Sequence, residues 1–150
     1  MMSERSDRAV ALFKSGASCS QAVVAAFADR IGMDEATAMR AASGFGGGIG
    51  RMREVCGVMC GLTMLAGMRR GNAAPEDAEG KKAVYALVQE LAAAFRAEFG
   101  SIICRQLLGL EKPEGDPTPA PRTEQYYRKR PCSDFVAFGA SLAEKLIFTE

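Results

Sequence analysis

The sequence contains no histidine and no tryptophan. Without imidazole there is no Ser-His or Cys-His nucleophilic machinery and no zinc site built on histidine. No run approaches the roughly 18 apolar residues of a membrane span. The opening stretch, MMSERSDRAV, is polar and charged where a secretion signal needs an apolar core, so cytoplasmic residence is the expectation. Net charge is only +1, from 19 Lys and Arg against 18 Asp and Glu. That balance gives no case for nucleic acid or an anionic membrane, both of which rely on concentrated positive field. Period-two alternation is missing, and with it any signal for a sheet. No spaced carboxylate pair points to hydrolysis.

What remains is a chain of 150 residues with 48% hydrophobic and 25% charged content, the profile of one globular domain spanning 1–150 with a real core. Its apolar residues recur at helical spacing. Ser3 starts a first helix with Ala9, Leu12 and Phe13 on one face, ending near Gly16. Ser18 and Gln21 fit a capping box ahead of Val23, Val24, Phe27 and Ile31. Asp34 caps a short helix over 36–43, and another runs from about Cys56 to Met68. After a polar connector at 72–80, Val84, Leu87, Val88, Leu91, Phe95 and Phe99 mark the strongest helix, 81–99. Ser101 is placed as the cap of a turn through Cys104 to Leu108. Glu111 to Pro121 carries four prolines and reads as a surface loop. A brief helix over 126–130 and a terminal one with Phe135, Phe138, Leu142 and Leu146 inward complete an all-α, bundle-like domain with a glycine-rich interhelical loop.

That loop lies in FGGGIGRMREVCGVMCG, Phe45 to Gly61. Gly44, Gly46, Gly47, Gly48 and Gly50 match neither the dinucleotide fingerprint nor a P-loop, and no strand precedes them. They read as a turn with several positive-φ or closely packed positions, which also leaves room for a partner to reach the adjacent sulfur. The basic run from Arg122 to Arg130 reads as a solvated face. Tyr126 and Tyr127 beside it are better explained by a surface turn than by a grip on nucleic acid.

In a reducing compartment the five cysteines call for metal binding, redox work or inert burial. Cys19, Cys56, Cys104 and Cys132 all fall at expected helix starts, where free N–H groups and the helix dipole favour a thiolate. Arg51 and Arg53 add to that field at Cys56 if the loop folds them back, and Glu54 opposes it. Cys60, one turn beyond Cys56, reads as a small core residue. Zinc ribbons draw ligands in close pairs, whereas these four are far apart in sequence. A tetrahedral zinc or iron–sulfur site on Cys19, Cys56, Cys104 and Cys132 requires the helix ends to converge.

Four segments together carry a resemblance: SGASCSQAV, GFGGGIGRMREVCGVMCG, GSIICRQLLG and RKRPCSDFV. From about Ser15 to the terminal helix the chain resembles the helical redox-active proteins named for their C_GCAxxG_C_C cysteine pattern. The resemblance places the four family cysteines on Cys19, Cys56, Cys104 and Cys132, and the CGAxxG element on 56–61. Val58 departs from the usual alanine, implying a roomier helix neighbour, and Cys60 fills a variable position. The implied function is disulfide or electron exchange with a protein partner through clustered cysteines. Cys56 is then the attacking thiolate and Cys19 a resolving thiol, with Cys104 and Cys132 as a second pair, one of three possible connectivities. A transport system is an implied partner, since the family's genes are often found near transporter genes. The alternatives are a zinc or iron–sulfur protein on the same four residues and a non-enzymatic accessory protein of a transporter.

Overall fold

Eight α-helices carry the chain in a computed structural model that describes residues 3–149: α1 (Glu4–Lys14), α2 (Cys19–Ala25), α3 (Glu35–Ala42), α4 (Gly57–Arg70), α5 (Ala78–Phe99), α6 (Cys104–Leu107), α7 (Glu124–Lys129) and α8 (Cys132–Leu142). The starts follow capping chemistry. The side chains of Ser3, Asp34, Asp77 and Thr123 each accept from an N–H three residues on. Ser18 and Gln21 form the reciprocal capping box that their spacing implies. Gly100, at φ 89°, closes α5 in the left-handed conformation.

Among the boundaries that differ from the sequence reading, three have a plain physical cause. After α2, the Phe27 N–H bonds to Val24 O, so the chain tightens and Ala28–Arg30 forms a separate 3-10 turn. Asp77 starts α5 three residues early. At the other end α8 passes into a π turn, Ala143–Ile147, in which the Phe148 N–H reaches Ala143 O at 2.9 Å. The wider turn shifts the inward register, so Ile147 and Phe148 are buried where Leu146 was expected. Phe148 then stacks on Phe27, centroids 4.9 Å apart.

Short α2 sits at the centre, touching α1, α3, α4 and α8, while α1 lies along α8 and α5 flanks α4. Val23, Val24, Leu62, Leu65, Leu91 and Phe95 are fully buried there, each contributing about 1.5–3 kcal/mol of transfer free energy. The unusual Val58 faces Gly139 on α8. A β-carbon on that glycine would lie 2.3 Å from Val58 Cγ1, so the roomier neighbour implied by the departure from alanine is a glycine. Among the described residues the one extended pairing is an isolated antiparallel bridge, Val55 to Ile103.

Candidate functional site

That bridge starts the site. Around it the Cys56 N–H donates to Ile102 O at 2.8 Å and the Cys104 N–H to Glu54 O at 2.6 Å. Segments nearly fifty residues apart are thus zipped together immediately before α4 and α6. The pairing holds residues 102–104 extended, so Ile103, and not Ser101, precedes α6. The Ser101 hydroxyl instead accepts from the Ile103 N–H at 2.9 Å.

The glycine-rich loop makes the approach possible. Gly47, Gly48, Ile49, Gly50 and Arg51 form an unbroken run of positive φ, and Arg53 has φ 64° as well. For non-glycine residues this conformation costs about 1–2 kcal/mol each, and for β-branched Ile49 it is a true outlier. Gly48 cannot be replaced without movement, because a β-carbon there would fall 2.6 Å from Cys104 Cβ and 2.8 Å from Arg53 Cα. Gly57 lets α4 start against α2, where its β-carbon would lie 3.4 Å from Cys19 Cβ.

Cys19, Cys104 and Cys132 are the first residues of α2, α6 and α8, and Cys56 directly precedes α4. All four line one small cavity of about 60 Å³, together with Arg53, Arg122, Arg130 and Tyr126. Cys60 does not line it. That residue is buried on α4, its Sγ 3.7 Å from Val55 O, as expected of a core thiol. Among the described residues no three cysteine, aspartate or glutamate side chains are placed to hold a metal ion together.

The thiols divide differently from the sequence reading. Cys19 and Cys132 lie near disulfide distance, and each shifts the ionisation of the other. The pairing of Cys56 with Cys19 and Cys104 with Cys132 is therefore replaced by a Cys19–Cys132 contact. The adjoining Cys19 thiol holds Cys132 below the ordinary thiol value, with help from Arg130, Arg122 and Arg53. Cys19 is pushed well up by Cys132 and by burial. The expectation of a Cys56 thiolate is also corrected. Burial pushes Cys56 up to about 12, outweighing the N–H groups of Val58 and Met59 that favour its charged form. Cys104 is raised by burial too, against the pull of Arg53.

Arg53 does fold back, but towards Cys104, with Nη1 3.8 Å from its Sγ and only 5% of the residue exposed. Its Nε donates to Glu114 Oε2 at 3.1 Å, and Arg51 pairs with the same carboxylate at 3.3 Å. Arg51 also donates to Asp116 O at 2.8 Å. The proline-rich segment is thus strapped across the glycine loop. Its far end is anchored by Arg122, which donates to Phe13 O and Ala17 O and lies 4.6 Å over the Phe13 ring. Arg122 and Arg130 are the site residues that the sequence reading missed, having been assigned to a solvated face. Arg128 and Lys129 are exposed as expected. The available signal was the basic run RKRP directly ahead of Cys132.

The arrangement is a close pair of thiols held in a positive cavity, and its chemistry is thiol-based redox chemistry. No curated protein and no solved structure matches the chain. A family model does match over residues 17–146, taking in all four cavity cysteines, and by that match the chain belongs to the family described as "Putative redox-active protein (C_GCAxxG_C_C)".

Proposed function

We propose that the protein is a two-electron thiol–disulfide couple that exchanges with a redox partner protein in the cytoplasm. Cys132 is the attacking thiolate and Cys19 the resolving thiol, with Cys104 and Cys56 beside them as the remaining cysteines of the set. The observation that supports this most directly is the approach of Cys19 and Cys132 to near disulfide distance inside a cavity lined by all four cysteines. In the cycle, the Cys132 sulfur attacks one sulfur of a disulfide, that bond breaks, and the far sulfur leaves as a thiolate. Cys19 then gives up its proton and attacks Cys132 Sγ, forming the internal disulfide and releasing the second sulfur. A transport system, the partner implied by the family resemblance, is the first place to seek the protein that completes the cycle.

Thiol counting with and without reductant, followed by mass spectrometry, tests this reading. The expected result is a reversible bridge joining the Cys19 and Cys132 peptides, and a Cys132 that never oxidises reversibly would defeat it. Zinc or an iron–sulfur cluster on Cys19, Cys56, Cys104 and Cys132 is the second reading, supported by their shared cavity. Metal analysis of protein purified without air separates the two. Near one equivalent of zinc, or visible iron–sulfur absorption, requiring all four cysteines but not Cys60, would replace the exchange reading.

A further inference from the structure

The cysteine cavity is an inner chamber. Against it lies a larger one of about 460 Å³, between the glycine loop and the proline strap, and Ser18, Gly47, Arg53, Arg122 and Tyr126 line both. Volumes of about 300–1,000 Å³ are usual for small-molecule sites. Cys56, Cys104 and Cys132 are 4%, 8% and 9% exposed. A small molecule in the outer chamber, with only the shared wall to pass, meets sulfurs so covered more readily than the bulky disulfide of a folded partner does.

The charge on those walls is one-sided. Arg51 faces the outer chamber, Arg130 the inner one, and Arg53 and Arg122 face both. Among the described residues no aspartate or glutamate lines either chamber. Glu114 stands behind Arg51 and Arg53, and Asp116 meets Arg51 through its backbone carbonyl. Glu54 is taken up by Arg105. Arg122 and Arg130 have no carboxylate partner among the described residues and are held instead by carbonyls and aromatic faces. With Arg51 and Arg53 sharing the single carboxylate of Glu114, and Arg122 and Arg130 facing none among the described residues, the walls keep net positive charge, which concentrates small anions in a concave site.

We propose that the outer chamber binds a small anionic disulfide, a low-molecular-weight carboxylate-bearing RSSR, and presents one of its sulfurs to Cys132. This rests on the thiol–disulfide exchange reading and names the oxidant for it. The carboxylates sit against Arg51, Arg53 and Arg122. Cys132 attacks the near sulfur, and one RS⁻ leaves and takes up a proton. Cys19 then loses its proton and attacks Cys132 Sγ, forming the Cys19–Cys132 bond and releasing the second RSH. One RSSR and two protein thiols become two RSH and one protein disulfide, which the partner protein reduces to close the cycle.

Three disulfides of similar size and different charge test the proposal on the full chain: 3,3′-dithiodipropionate, bis(2-hydroxyethyl) disulfide and cystamine. Formation of the Cys19–Cys132 bridge is timed for each and divided by the rate of the same disulfide with a free model thiol. The expected result is that the dianion outpaces the dication by at least about tenfold, with the neutral compound between them. Raising salt from about 0.05 to 0.5 M should shrink that advantage. Arg51→Gln should cut it by about threefold. The salt series on the unaltered protein keeps the test decisive if this variant folds poorly. Equal corrected rates for all three compounds would overturn the anionic-disulfide proposal and leave the exchange reading standing. Failure of all three to form the bridge would remove the exchange reading, and the proposal with it.

Discussion

Cys56 at the start of α4 and Cys132 at the start of α8 line the same cavity, each beside free helix N–H groups, yet they behave oppositely. Burial pushes Cys56 up to about 12, while Cys132 is held below the ordinary thiol value by the adjoining Cys19 thiol and three guanidiniums. The difference teaches that a helix start is a small electrostatic bonus, worth about 0.3–1 kcal/mol in exposed settings. Desolvation of a fully covered sulfur outweighs it unless a donor and cations stand within reach. Cys56 has Cys104 and Cys132 as neighbours, both of which oppose its ionisation, whereas Cys132 has Arg130, Arg122 and Arg53.

The sharpest way to break this contrast is alkylation at pH 7. Cys56, near 12, carries far less thiolate at that pH than Cys132, which lies below the ordinary value. Iodoacetamide followed by peptide mass spectrometry should therefore label Cys132 at least about 100-fold faster than Cys56, and equal labelling would end the distinction.

Next in size is alkaline stability. Cys56 has a folded value near 12 against an ordinary 9.0. The stability it contributes is complete below pH 9 and is lost as pH rises through 12, on the order of 4 kcal/mol across that window. Denaturant midpoints followed from pH 8 to 11 should fall, and the fall should be shallower in Cys56→Ala.

Gly48→Ala adds a β-carbon against Cys104 Cβ at a φ of 76°, which should cost about 2 kcal/mol in urea unfolding. It should also move Arg53 away from the thiols. The smallest effect expected is that of Arg130→Gln. Removing one cation should raise the pH midpoint of Cys132 alkylation by roughly half a unit. A downward shift would mean that Arg130 does not face the sulfur.

Most of the helices were legible because their information is local. The Ser18–Gln21 capping box, the Val84-to-Phe99 stripe and the stop at Gly100 each depend on residues within a few positions. The departures came from contacts distant in sequence. Leu146 lost its inward place to Ile147 because a π turn lets Phe148 stack on Phe27. Ser101 lost its capping role because residues 102–104 pair with 54–56. The four cavity cysteines were legible as a set, from their helix-start positions and the family resemblance. Arg122 and Arg130 were not, because a basic run reads alike whether it faces water or folds over Phe13, Tyr126 and a sulfur.

The sequence by itself determined an all-helical chain, the residues that start its helices and the four cysteines that stand at those starts. Hydrogen bonding at caps and the 3.6-residue repeat are short-range and do not depend on the rest of the chain. Only the tertiary structure decided that Cys19 meets Cys132, that Arg53 turns to Cys104 and that Cys56 is sealed from water. Those outcomes depend on distances between segments up to 113 residues apart, from Cys19 to Cys132, and on desolvation, which no residue carries until its neighbours are packed around it.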